Sequence, residues 1–322
     1  MDEVVVLRGV GKVYAGGPPA VEDLSLCVGA GEVYGLVGLN GAGKTTVLGM
    51  VTGLLRPTTG SVTVFGASPG DPAMLARTGS LLESCGLYPH LTGRQNLRLL
   101  ARVQGVGANE VDRVLERVGL AGAADRRHRT YSQGMRQRLG VAAALLKSPD
   151  LLVLDEPANG LDPAGIADLR LLVRTHARSG GAVLLSSHLL GELEQVCDRV
   201  GVVRSGRLIA EDVPAALGAG GPVFIVLRCD RPSVAVRLVQ EEPVVVSVAV
   251  DGPVIRVELS SGTAADGAAA ALNSTLVAAG LQVYELATEQ HTLEAAFFAL
   301  TAAGDTIAAH DAVASTTNGV PA

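Results

Sequence analysis

The chain has 322 residues, 48% of them hydrophobic and 18% charged, with a net charge of −6. This length exceeds the usual single domain, so two domains are expected, and the acidic balance argues against a broad electrostatic surface for nucleic acid. Apolar runs such as 223–227 and 244–250 fall far short of the ~20 residues of a spanning helix, and the start Met1-Asp2-Glu3 lacks the basic residues of a signal peptide. The four cysteines, Cys27, Cys85, Cys197 and Cys229, form no C-x-x-C pair. The expectation is a cytoplasmic, reduced protein without a spanning helix.

Residues 1–70 alternate short apolar strands with Gly/Pro turns, an antiparallel portion. Tyr14, in G-K-V-Y-A-G at 11–16, is by type a strand aromatic, more often core than contact. Residues 31–38 (G-E-V-Y-G-L-V-G) read as an apolar strand feeding the glycine loop 38–46 (G-L-N-G-A-G-K-T-T), and 45–51 as the helix leaving it. Strand, glycine loop and helix N-terminus together make an anion site. Glycines let successive backbone N–H groups curl around phosphates, while a lysine neutralises them and a hydroxyl takes a place on Mg²⁺. Gly38, Asn40, Gly41, Ala42, Gly43, Lys44, Thr45 and Thr46 are thus the candidate ATP contacts, with Thr45 also on Mg²⁺.

From about 72 to 147 the pattern turns helical, with apolar residues at Val111, Val114, Leu115 and Val118 spaced for one helix face. The basic cluster 125–129 (D-R-R-H-R) reads as a solvated face or a subunit contact. Residues 131–147 read as a helix N-capped by Ser132, exposing the Gly134 amide in its first turn. Next comes L-L-V-L-D-E-P at 151–157, a buried strand ending in two carboxylates. Asp155 can hold Mg²⁺ through its water shell, and Glu156 can polarise an attacking water. A second apolar strand, 182–187, ends at His188, and 200–210 read as a hairpin around Ser205-Gly206. After the linker 218–222 the strands 223–228, 244–250 and 254–259 and an Ala-rich helix 264–280 suggest a small α+β extension. The stretch from Gly304 is expected to be disordered.

The order of glycine loop, Y-S-Q-G-M (131–135), L-L-V-L-D-E-P and S-S-H (186–188) resembles the ATP-binding cassette ATPases. The resemblance is close over residues 3 to about 215. It implies an α/β P-loop NTPase fold of ABC type with an antiparallel β portion and a helical subdomain (about 72–147) inside a nucleotide-binding domain 1–217. A small α+β domain 222–303 and the tail 304–322 follow, with 288–300 similar to a closing helix of one branch.

The resemblance further implies ATP and Mg²⁺ as cofactors and Lys44, Glu156 and His188 as catalytic residues, with Tyr14 stacking on adenine. His188 contacts the γ-phosphate and positions Glu156. In a head-to-tail homodimer, Ser132 and Gly134 close over the γ-phosphate held by the opposite subunit, and the loop 158–162 (A-N-G-L-D) presses against that subunit. Where the family usually places a glutamine, this chain has Glu83, a further Mg²⁺ candidate whose effect on turnover has either sign; Gln133 and Met135 also depart from the commonest signature.

Glu83 with L-Y-P-H-L-T (87–92) and Y-S-x-G-M is similar to exporters of the bacitracin, lantibiotic and daunorubicin resistance type, in which a separate transmembrane permease docks beside residues 83–96. Antibiotic export is then the expectation, with lipid, polysaccharide, ion or peptide as other cargo. A soluble cassette ATPase of translation or DNA repair is the alternative class, against which stand the single cassette and the lack of a heptad insert. A regulatory nucleotide sensor is a third reading, opposed by the full set of catalytic residues.

Overall fold

The computed structural model describes residues 2–82, 86–188, 190–219, 223–260 and 263–289. The chain divides into two compact units, Met1–Pro214 and Ala215–Ala322.

In the first unit, β1 (Glu3–Val13) and β2 (Pro19–Gly29) form an antiparallel pair. They are followed by β3 (Val33–Val37), α1 (Lys44–Val51) and β4 (Thr59–Val64), which returns to β1 and completes a three-stranded sheet in the order β2-β1-β4. Next come α2 (Pro72–Arg77), β5 (Thr78–Leu81), α3 (Gly93–Gln104), α4 (Ala108–Arg117) and α5 (Gln133–Leu145). The unit continues with β6 (Leu151–Leu154), α6 (Pro163–Arg178), β7 (Ala182–Ser187), α7 (Leu190–Val196), β8 (Arg199–Arg204) and β9 (Arg207–Asp212); α8 (Pro214–Ala219) carries the chain onward.

A six-stranded sheet runs in the order β5-β6-β7-β3-β8-β9, parallel except for β9. Every residue of β3, β6 and β7 is buried, as expected of strands covered on both faces. One apolar core joins Val5, Leu7 and Leu24 of the antiparallel sheet to Leu36, Val153 and Leu184 of the parallel one, with Leu48 and Met50 of α1 between. Because β3, β6 and β7 are parallel neighbours in register, their C-terminal ends deliver the glycine loop, the Asp155-Glu156 pair and His188 to one edge, where ligands bind in open α/β sheets.

The expected helical stretch 72–147 contains a strand. β5 pairs with β6 as the sheet's edge, so the helical layer proper is α3 to α5. Thr-Gly-Ser-Leu is too short and too polar to announce a strand by periodicity. Gly79 is required there because a Cβ would stand 2.0 Å from the Ala144 carbonyl oxygen of α5. The hairpin of β8 and β9 turns through Ser205 (φ 47°) and Gly206 (φ 79°), both left-handed as a two-residue hairpin loop demands.

The second unit comprises β10 (Val223–Cys229), α9 (Pro232–Gln240), β11 (Val245–Asp251), β12 (Val254–Leu259), α10 (Ala265–Ala278) and β13 (Val283–Glu289). Its antiparallel sheet has the order β11-β12-β10-β13, the split β-α-β-β-α-β arrangement of ferredoxin-like folds. Ile225, Leu227, Ile255, Val257 and Leu259 pack against Ala235 and Val239 of α9 and Leu272 and Leu276 of α10. Arg228 of β10 pairs with Glu285 directly opposite on β13, and Arg256 of β12 reaches across β10 to Glu289 of β13. The sequence reading missed α9 and β13. It also began a closing helix at Thr288, whereas Thr288 and Glu289 belong to β13, and the rest of that helix and the tail 304–322 lie outside the described residues.

Candidate active site

Two glycines shape the phosphate loop. At Gly38 a Cβ would stand 2.4 Å from the Val203 carbonyl oxygen, so only glycine lets the chain leave β3 past β8. Gly43, at φ 106°, caps α1 in a left-handed conformation that strains any other residue. No side chain caps α1 and its first turn holds no acidic residue, leaving the N–H groups and the positive end of its dipole for an anion.

Lys44, buried, donates from Nζ to the Gly38 carbonyl at 2.6 Å and lies 3.6 Å from Glu156 Oε1. The Thr45 hydroxyl donates to Asp155 Oδ2 at 2.7 Å, placing a hydroxyl and a carboxylate side by side. Two hard oxygen donors of this kind, beside a phosphate-binding loop, suit Mg²⁺, which is held by few protein ligands and keeps several waters. Glu156 Oε2 lies 2.7 Å from His188 Nδ1 and accepts the His188 backbone N–H at 3.3 Å. Since an ionised carboxylate only accepts, this contact assigns the His188 proton to Nδ1.

The strand ends therefore bring Lys44, Thr45, Asp155, Glu156 and His188 into one cluster. Tyr14 is no core residue: it is 45% exposed, its hydroxyl lies 3.4 Å from Thr46 Oγ1 and the Lys12 ammonium sits 5.5 Å from its ring centroid. Asn40 and Gly41 are exposed at the loop's tip and Ala42 is buried beneath it.

Ser132 caps α5 by accepting the Met135 N–H at 3.2 Å. A Cβ on Gly134 would stand 2.9 Å from the Gly160 carbonyl oxygen, so within one chain Gly134 packs against the loop after Pro157. Glu83 lies outside the described residues.

Two residues went unassigned in the sequence. Ser186 Oγ donates to Asp155 Oδ1 at 2.5 Å and accepts the Glu156 N–H at 2.9 Å, while Gln137 Nε2 donates to the Glu156 carbonyl at 3.1 Å. A serine interrupting an apolar strand two residues before a histidine was the only visible signal for Ser186. Behind the cluster, burial raises the Glu192 carboxyl, an effect that Arg170 and His188 oppose and Glu156 reinforces.

Residues 21–159 match the family described as ABC transporter. The chain is 41% identical over 218 residues to the bacitracin transport ATP-binding protein BcrA of Bacillus licheniformis, 66% of this chain and 71% of BcrA. The chain belongs to the ABC transporter ATP-binding proteins. A second relative of this family, the daunorubicin resistance ATP-binding protein DrrA3 of Streptomyces coeruleorubidus, is 37% identical over 314 residues, 93% of this chain and 96% of DrrA3. The match thus runs through the second unit as well.

Among solved structures, an ATP-binding subunit of an ABC transporter superposes with a TM-score of 0.61 at 29% identity, covering 66% of this chain and 91% of that one. A dimeric ATP-binding cassette in a post-hydrolysis state with ADP and Pi shares the fold at 23% identity and a TM-score of 0.61, covering 65% and 98%. The chain is therefore an ABC-type ATPase with the P-loop NTPase fold. No helix among its described residues is long and apolar enough to cross a membrane.

Proposed function

We propose that the chain is the ATP-hydrolysing subunit of an exporter, acting as a homodimer on the inner face of the membrane and powering a separate transmembrane permease. The carrying observation is the Glu156–His188 pair, 2.7 Å apart and beside Lys44, at the end of parallel strands that also deliver the phosphate loop.

In this reading the glycine loop and α1 bind the phosphates through backbone N–H groups, and Lys44 exchanges its loop carbonyl for phosphate oxygens. Glu156 accepts a proton from the attacking water as the water oxygen bonds to the γ-phosphorus and the bond to ADP breaks. His188 holds Glu156 in the accepting pose through Nδ1–H, leaving Nε2 toward the nucleotide. Mg²⁺, when bound, neutralises developing phosphate charge; Thr45 and Asp155 are the residues that would hold it. Tyr14 offers a π-face to adenine, and Ser132 and Gly134 serve the opposite subunit's ATP.

For cargo we propose an antibiotic or similar drug-like compound, because relatives named for bacitracin and daunorubicin align here, the latter along nearly the whole chain. The permease would dock beside 83–96. The test is co-expression with a candidate six-helix membrane partner in a drug-sensitive bacterium. Resistance should rise with the native chain and not with Glu156→Gln. Co-purification without drug-dependent resistance would redirect the cargo to a lipid, polysaccharide, ion or peptide, and failure to bind any membrane chain would reject the transport reading.

A further inference from the structure

β7 reads A-V-L-L-S-S, and all six residues are buried between β6 and β3. Ser186 is 0% exposed. A hydroxyl at such a position is costly unless bonded, and leucine or valine would fit a central parallel strand better. This hydroxyl has a single proton to give and lone pairs to receive. It gives the proton to Asp155 Oδ1 at 2.5 Å and receives the Glu156 N–H at 2.9 Å.

Each bond constrains a group next to the chemistry. Asp155 is left with its two oxygens assigned to different tasks, Oδ1 to Ser186 and Oδ2 to Thr45 at 2.7 Å. Its carboxylate plane is thereby fixed, with Oδ2 on the Thr45 side. Glu156 sits at φ 47°, a region that non-glycine residues seldom occupy without support from their surroundings. Its peptide is held on the amide side by Ser186 and on the carbonyl side by Gln137 at 3.1 Å. That backbone conformation aims the carboxylate at His188 and Lys44.

We propose that Ser186 is a positioning residue for ATP hydrolysis: one buried hydroxyl sets the plane of the Mg²⁺-side carboxylate Asp155 and the backbone of Glu156 together. The inference rests on the reading of Asp155 and Glu156 given above. It makes a distinctive demand, that losing the hydroxyl harms Mg²⁺ use and turnover together while sparing the metal-free affinity for nucleotide, which belongs to the glycine loop and Lys44. A residue that merely fills space would lower all three through a loss of folding.

The test uses the purified full chain with Ser186→Ala and Ser186→Cys, Cys being close in volume with a weaker donor and acceptor. A fluorescent ATP analogue is titrated in EDTA and again in Mg²⁺; Mn²⁺ bound beside a non-hydrolysable ATP analogue is measured by electron paramagnetic resonance; turnover is measured separately. Hydrogen bonds to charged groups are the strong ones. For Ser186→Ala, affinity in EDTA should therefore stay within about twofold, the gain on adding Mg²⁺ should fall at least about fivefold, and kcat should fall at least about tenfold. Ser186→Cys should lie between Ala and native. If Ser186→Ala does not fold, Ser186→Cys carries the same demand of reduced Mg²⁺ gain and kcat at native EDTA affinity.

A Mg²⁺ gain and kcat within twofold of native would overturn the inference, as would parallel loss of EDTA affinity with Cys no better than Ala. Asp155→Asn and Glu156→Gln, run alongside, separate the two levels. Should they too retain Mg²⁺ gain and turnover, the reading of the carboxylates fails; should only the Ser186 variants be silent, the positioning role alone fails.

Discussion

Gln137, one turn into α5, donates its side-chain amide to the backbone carbonyl of Glu156 at 3.1 Å. The helix that carries Ser132 and Gly134 is thereby tied to the peptide of Glu156, the proposed proton acceptor, in the same chain. Gln137→Leu should lower kcat by about threefold to tenfold, the worth of one neutral hydrogen bond, with ATP affinity unchanged. A steady-state ATPase assay with parallel nucleotide titration checks this. A native kcat would mean that α5 and Glu156 are not coupled through this bond.

A shared ATP site predicts complementation between damaged chains. The structure argues against Gly134→Asp as the signature lesion, because Gly134 already abuts Gly160 in its own chain and the substitution would disturb both places. Ser132→Asp is cleaner, since aspartate is as good an N-cap as serine while its charge would face the opposite γ-phosphate. In a mixed dimer with Lys44→Ala, the Ser132→Asp chain supplies an intact loop to the other chain's intact signature. With Glu156→Gln in both chains, one trapped ATP per tagged mixed dimer is expected, against none in either parent. Equal trapping in all three would exclude a signature acting across subunits.

His176 gives the fold a defined acid response. It is buried on α6 with Nε2 unbonded, and burial first, then Arg117, pushes its pKa below the ordinary value. The folded chain thus resists a proton that the unfolded chain accepts below about pH 6.5. Stability from this residue is present above that pH and is lost as the pH falls toward the depressed folded value. His128, shifted in the same direction by burial and Arg136, adds a response of the same sign. Thermal melts of native and His176→Leu chains at pH 7.5 and 5.5 should show a smaller acid-induced drop in Tm for the variant. An identical drop would place the sensitivity elsewhere.

The first compact unit ends at Pro214 and contains every described residue of the proposed ATP site. A chain stopped at Ala219 is accordingly expected to bind ATP within about twofold of the full chain, apolar burial within its own core being sufficient for folding. A truncated protein that is folded by circular dichroism yet fails to bind would show that the second unit supports the site.

The legible parts of this molecule were those in which chemistry is local in the chain. Glycines at Gly38 and Gly43, a lysine and a hydroxyl lie close together in the chain, and the buried runs of β6 and β7 end in polar, ionisable residues that apolar strands otherwise avoid. Ser186 and Gln137 escaped because their partners, Asp155 and Glu156, are distant in sequence and become neighbours only through strand order and the docking of α5. The Thr78–Leu81 strand was hidden by its brevity. In the second unit, α9 is rich in Val, which favours strands over helices, and its two buried residues, Ala235 and Val239, are too few to mark a face. Without α9 and β13 the six-element topology could not be recognised, although three of its strands and its longer helix were read correctly.

Gly79 has an outcome that a geneticist would meet before a biochemist. Its missing side chain is the room into which the Ala144 carbonyl fits, so Gly79→Ala would push α5 from behind and move its far end, where Ser132 and Gly134 sit. In a search for variants that have lost transport, such a change would map to the edge strand β5, outside the phosphate loop. It would nevertheless group with lesions in the signature, and second-site suppressors should fall along α5.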